Sequence, residues 1–145
     1  MHIDRLDVYH VRMPLVYPWR TAYGEDLAID SVLVNATSGD HSAWSESTPF
    51  FAPHYVPECA GTVFYLVTEV FGPHVIGRTY DTAAELDQRL DYFKGSGFAK
   101  AAIELCWWTL QSKLSDEPLH RLLGGETRPV HRLLLVLLDT LAGIV

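Results

Sequence analysis

Basic residues are scarce in this chain, with 11 Lys and Arg against 18 Asp and Glu in 145 residues and a formal charge of −7. Without a Lys/Arg cluster, a surface of that sign is repelled by phosphate, which argues against nucleic acid and anionic membranes as partners. Cysteine is scarcer still. Cys59 and Cys106 both sit in apolar helical patterns, where a free thiol behaves as a small hydrophobe. Two such residues build no disulfide framework, and a reducing cytoplasm is the expected location. Long hydrophobic runs are also missing: the longest, Leu133 to Leu138, ends at Asp139, far short of the ~20 residues a bilayer span needs. The opening Met1-His2-Ile3-Asp4-Arg5 lacks the basic and apolar segments of a signal peptide. What the chain has in quantity is apolar surface. At 48% hydrophobic and 12% aromatic residues, it is excluded from disorder and carries either a large core or an interface covered by something else.

The first 47 residues carry a period of two. Leu6 and Val8 alternate with Asp7, then Tyr9, Val11 and Met13 alternate with His10 and Arg12, so the apolar parity switches once, as a bulge or burial on both faces would produce. Pro14 and Pro18 are expected to end that strand at an edge. Val32, Val34 and Ala36 mark a second strand, and the turn Thr37-Ser38-Gly39-Asp40 leads to a third around Ala43-Trp44-Ser45-Glu46, completing an antiparallel meander.

After Pro49 the period lengthens to near 3.6. One helix is expected from Glu58 to Phe71, stopped by Gly72-Pro73. A second follows Asp81 or Thr82, where Thr82 and Glu85 have capping-box spacing, with Leu86, Leu90 and Phe93 on its apolar face. Lys94-Gly95-Ser96-Gly97 breaks the pattern before a third helix from Phe98 to Leu114. From Phe98 to Leu110 every residue except Lys100, Glu104 and Thr109 is apolar, so this helix needs cover on more than one side. Three strands cover one side only, which implies a further body of protein. Strands first and helices second make the fold class α+β: a three-stranded antiparallel meander followed by a bundle of three to four helices.

No arrangement of side chains here specifies a reaction by itself. His54 and Glu58 are four apart, but Pro57 intervenes at the mouth of a helix and no further ligands accompany them, so a structural role is the expectation. Gly95-Ser96-Gly97 lacks the third glycine of a dinucleotide fingerprint and reads as a hinge between helices. The serines and the seven histidines form no nucleophile elbow. Trp107-Trp108 continues an apolar helix surface and reads as core or domain interface. Two loops stand out. Residues 17–25 hold three aromatics, Arg20 and a conformationally permissive Gly24, and residues 48–55 hold Phe50, Phe51 and Tyr55 between prolines. Loops of this kind at the edge of a rigid scaffold contact a ligand, contact another domain, or simply pack on their own fold.

Taken in order, the meander, the aromatic loop ending in Gly24, the Ala43-Trp44-Ser45-Glu46 strand and the Pro49…Pro53-His54-Tyr55…Glu58 loop are followed by three further motifs. These are Gly72-Pro73-His74-Val75-Ile76-Gly77, Lys100-Ala101-Ala102-Ile103-Glu104 and Pro118…Leu122-Leu123-Gly124-Gly125. This order resembles the N-terminal capping domain of the enolase superfamily, in its muconate-lactonizing subgroup. The Pro18-Trp19-Arg20-Thr21-Ala22-Tyr23-Gly24 loop looks most like o-succinylbenzoate synthases and N-acylamino acid racemases. The resemblance implies a two-domain enzyme that abstracts a proton next to a carboxylate. In it a TIM barrel carries lysine acid and base groups and a Mg²⁺ held by three carboxylates, while the capping domain closes two loops over a small carboxylate substrate. It implies substrate-enclosing roles for Trp19, Arg20, Thr21, Tyr23, Gly24, Phe50, Phe51 and Tyr55, and assigns no catalytic or metal residue to this chain.

Three departures qualify the resemblance. The family's Trp-Gly-Glu is Trp44-Ser45-Glu46 here, and its common Ala and Asp near the end of the long helix are Cys106 and Thr109. The first barrel strand is expected near Val130, yet residues 131–145 read unlike it, and the 17 residues after 128 fall far below the ~250 of a barrel. The organisation expected is a capping domain over 1–128 and an apolar tail over 129–145. Three readings follow: a fragment inactive alone, the capping subunit of a split enzyme whose barrel lies on another chain, or a free-standing small-molecule binding or interaction module. Under the first, the Phe98–Leu110 helix and the Leu133–Leu138 tail are expected to drive self-association.

Overall fold

Four strands open the chain: β1 (His2–Ile3), β2 (Arg5–Thr21), β3 (Gly24–Ser38) and β4 (His41–Ser47). The computed structural model describes residues 1–22 and 24–127. β2, β3 and β4 form an antiparallel meander in that order, and β1 pairs with a short β5 (Arg78–Thr79). Strict alternation places Val32, Val34 and Ala36 of β3 beside Ser47, Ser45 and Ala43 of β4 on the face that meets the helices, and all six are buried.

The parity switch in β2 has no bulge behind it, because pairing with β3 runs unbroken from Arg5↔Thr37 to Pro14↔Ala28. It reflects two-sided use of the strand. Leu6, Val8, His10 and Arg12 lie across from Ala36, Val34, Val32 and Asp30 and so share the helix-facing side, where Leu6 and Val8 pack against the core. Tyr9, Val11 and Met13 point the other way, with the Tyr9 ring 5.7 Å from that of Trp44. The expectation that Pro14 and Pro18 end the strand is corrected. β2 is an edge strand, where a missing N–H costs no ladder bond, so only the register shifts between Pro14 and Trp19 and the strand runs on to Thr21.

A helical run then covers one face of the sheet: α1 (Ala60–Tyr65), a π-helical segment (Leu66–Phe71) and α2 (Gly72–Val75). The expected stop at Gly72-Pro73 is also corrected. The Gly72 N–H bonds back to the Val67 carbonyl, a π-type spacing that widens the helix just before Pro73 and admits a ring that would clash in a regular α-helix. Gly72 is obligatory there, since a Cβ would lie 2.6 Å from the Val67 oxygen. α3 (Ala83–Leu90) is capped as its sequence predicts: the Thr82 hydroxyl accepts from the Glu85 N–H, while the Glu85 carboxylate reaches back to the Asp81 N–H.

α4 (Gly97–Ser115) packs across β3 and β4 of the sheet and contacts α1, the π segment and α3. Its first turn is capped from 40 residues away, by Glu58, whose two carboxylate oxygens accept from the Phe98 N–H at 3.1 Å and the Ala99 N–H at 3.3 Å. Much of the cover expected from another body of protein comes from within the chain. Ala99, Ala102, Ile103, Cys106, Trp107 and Leu110 are buried against the sheet and neighbouring helices, Phe98 and Trp108 are half-buried, and Leu105 and Leu114 are the large apolar residues of α4 left exposed. A short α5 (Leu119–Leu122) follows Pro118.

The two departures Ser45 and Cys106 meet in this core. The Cys106 thiol lies 3.1 Å from the Ser45 hydroxyl and 3.1 Å from the Val34 carbonyl, and the Ser45 hydroxyl donates to the Ala102 carbonyl at 2.5 Å. The serine hydroxyl, which would be an orphan against an apolar helix, is thereby satisfied. Thr109 donates to the Leu105 carbonyl one turn back, which satisfies its hydroxyl within the helix.

Candidate functional site

The outer end of the β2–β3 hairpin is the 17–25 loop of the sequence. Instead of a loose connection it is a paired arm: Trp19↔Asp26, Arg20↔Glu25 and Thr21↔Gly24 close it around a two-residue tip. Gly24 turns the chain at φ +140°, a conformation that L side chains rarely adopt. The Arg20 Nε donates to the Glu25 carboxylate at 2.8 Å across the strands, and the Thr21 hydroxyl donates to the Gly24 carbonyl at 3.4 Å. Trp19, Thr21, Gly24 and Asp26 share one face by register, and Arg20 and Glu25 share the other. Tyr23 lies outside the described residues.

Residues 48–55 leave β4 and are tied down where they rejoin α1, since the Phe50 carbonyl accepts from the Ala60 N–H at 3.1 Å. Phe50 is half-buried and serves as the anchor, its ring 5.6 Å from His54 and 5.9 Å from Tyr55. Phe51 and Tyr55 are exposed. Beneath this segment lies a buried acid: Asp30, on the helix-facing side of β3, meets the His10 Nε2 at 3.1 Å and the Arg12 Nε at 3.8 Å. The Arg12 guanidinium in turn sits 5.4 Å from the centre of the Phe51 ring, a cation–π contact linking the sheet to the loop.

The two segments converge. Thr21, Gly24, Glu25 and Asp26 of the hairpin and Phe50 and His54 of the second loop enclose a hollow of about 180 Å³. That volume is below the ~300–1,000 Å³ of pockets that enclose a small molecule. The polar lining residues of the hollow are Thr21, Glu25, Asp26 and His54, with the Glu25 carboxylate held by Arg20 on the other face of the hairpin, and among the described residues no three His, Cys, Asp or Glu side chains converge on a point where a metal could sit. The described residues therefore do not fit a Mg²⁺ site. The His54/Glu58 pairing dissolves as expected, with Glu58 engaged on α4 and His54 turned to Phe50. Of the residues singled out in sequence, Thr21, Gly24 and Phe50 line the hollow. Trp19 stands on the same hairpin face, Arg20 braces the arm, and Phe51 and Tyr55 stand exposed on the second loop. Glu25 and His54, which also line the hollow, lie within the two loops that stand out in the sequence but carry no individual expectation of a site role there, and Asp26 lies just outside them; pairing outward from Gly24 puts Asp26 across from Trp19.

Among the described residues, no helix is long and apolar enough to cross a membrane. Residues 5–124 match the family model for the mandelate racemase / muconate lactonizing enzyme N-terminal domain. The o-succinylbenzoate synthase of Bacillus subtilis is 30% identical over 127 residues, which cover 86% of this chain and 34% of that protein. The N-succinylamino acid racemase of Thermus thermophilus is 28% identical over 130 residues, 90% of this chain and 35% of the relative. In fold, the N-succinyl Arg/Lys racemase of Bacillus cereus superposes with a TM-score of 0.82 at 24% identity, covering 88% of this chain and 35% of that one. The chain thus spans about a third of the length of these relatives. Its α+β architecture, the order of its motifs and these matches agree, and the chain belongs to the mandelate racemase / muconate lactonizing enzyme family of the enolase superfamily, as its N-terminal domain.

Proposed function

We propose that this chain is the capping domain of a Mg²⁺-dependent enzyme that abstracts a proton next to a carboxylate, of the o-succinylbenzoate synthase or N-acylamino acid racemase kind. Its hairpin tip and 48–55 loop form the part of the substrate enclosure that faces a barrel. One observation supports the reading: two segments distant in sequence, the hairpin end and the 48–55 loop, converge on one small hollow with aromatic and polar residues in its lining. A small carboxylate substrate would be held between these segments and the barrel, and closing the two loops would exclude water. Mg²⁺, when bound, would stabilise the negative charge that develops on the substrate carboxylate, and its ligands would come from the barrel. The 145-residue chain by itself is inactive in this reading. A barrel on another chain would complete it equally well, and the exposed apolar side chains of the arm would then be part of the contact.

The test is to assay the purified chain with Mg²⁺ against N-succinylamino acids, dipeptides and the o-succinylbenzoate precursor. No turnover is expected. Turnover abolished by a chelator would overturn the claim that the chemistry lies outside these residues.

A further inference from the structure

A larger hollow, of about 610 Å³, lies at the opposite end of the helical layer, between β5 and α3. It is lined by Arg78, Thr79, Tyr80, Glu85, Gln88 and Arg89, and a second hollow of about 250 Å³ shares Gln88 and Arg89. Arg78 and Arg89 are held side by side, because the Nε of each donates to the same acceptor, the His74 carbonyl at the end of α2, at 3.0 and 3.3 Å. That contact caps the helix and uses one of the five N–H groups of each guanidinium. Neither arginine has a carboxylate partner among the described residues, in a chain whose formal charge is −7. Glu85, the acidic residue in the lining, accepts from the Asp81 N–H. A second feature points the same way. The Tyr80 hydroxyl, buried between these elements, has no hydrogen-bond partner among the described residues. Burial pushes its pKa up against the opposing pull of Arg78 and Arg89, so it is a neutral donor at physiological pH with both guanidiniums near it.

We propose that the Arg78–Arg89 groove binds a small multivalent oxyanion, a phosphate or a carboxylate pair, on the paired guanidinium forks with Tyr80 and Gln88 as further donors. Arginine forks match the oxygens of both groups in geometry. The site is remote from the two loops and independent of the capping role.

The test is a chemical-shift titration of the full 145-residue chain with inorganic phosphate and, separately, succinate at constant ionic strength. Saturable shifts at Arg78, Tyr80 and Arg89 are expected, weakened about tenfold by Arg89→Gln, a change of about 1.4 kcal/mol. Saturation by phosphate alone identifies a phosphate site, saturation by succinate identifies a carboxylate site, and either supports the proposal. Absence of saturation with both, or an unchanged affinity in Arg89→Gln, overturns it. If that variant does not fold, protection of the wild-type chain against phenylglyoxal decides: phosphate or succinate should slow modification of Arg78 and Arg89 and leave Arg5 unaffected. Equal modification with and without anion refutes the site.

Discussion

The two ends of the β2–β3 hairpin share one backbone ladder and comparable apolar content, yet their fates are opposite. At the inner end Val32, Val34 and Ala36 are fully buried beneath α1 and α4, whereas at the outer end Val16 and Tyr17 are 89% and 81% exposed and Leu27 is 64% exposed. Strand pairing is common to both, so it does not account for the difference. What differs is what lies on the sheet. A buried valine contributes roughly 1.5–3 kcal/mol from the area it removes from water, and the outer arm, with no helix beneath it, gains almost none of this. The inner end is therefore the part the fold needs. The arm is held by hydrogen bonds, the Arg20–Glu25 pair and its neighbour loop, and its apolar side chains remain available to something outside the described residues.

Substitutions should separate the two ends, beginning with the largest effect. Trp107→Ala is expected to cost about 3–5 kcal/mol, read as a urea midpoint, because the indole is buried between α4 and its neighbours. Trp107→Phe should cost far less than that, since it also removes a buried Nε1–H that has no partner among the described residues. A next tier tests the long-range cap: Glu58→Ala removes both acceptors at the start of α4 and should cost about 1–2 kcal/mol, with Glu58→Gln intermediate.

A smaller effect is expected at the Ser45–Cys106 contact, where a cycle of Ser45→Gly and Cys106→Ala should show a coupling of about 0.5–1 kcal/mol. Burial raises the Cys106 pKa above its ordinary 9.0, with the hydrogen bonds from its neighbours pulling the other way. The folded state therefore prefers the neutral thiol. This contribution is complete below pH 9 and is lost as pH rises through the folded-state value, so unfolding midpoints measured from pH 7 to pH 10.5 should fall, and fall less in Cys106→Ala. The smallest loss belongs to the arm: Trp19→Ala should cost under about 1 kcal/mol in the same urea melts. A loss at Trp19 equal to that at Trp107 would erase the contrast between the two ends.

The α+β class, the meander and the three main helices were legible because each rests on a local period or cap, as in Val32/Val34/Ala36 or Thr82 with Glu85. The misreadings share a cause: a local breaker was excused by its surroundings. Pro14 and Pro18 sit at the expected edge, but pairing resumes beyond them after a shift of register, and Pro73 is accommodated because the helix ahead of it widens around Gly72. The cover over α4 was underestimated because the number of elements that fold back onto one helix is not written in that helix. Of the candidate site, the aromatic and glycine content of the two loops could be read, but their convergence could not. It depends on how far the arm extends past the core, and on Glu58 leaving His54 for a helix 40 residues on.

Hydrogen exchange along the hairpin tests the division most directly. Amides of residues 31–36 should exchange only through global unfolding, while those of residues 19–26 should exchange by local opening, orders of magnitude faster. Equal protection along both halves would contradict the account, making the arm part of the core and not a tool carried on it.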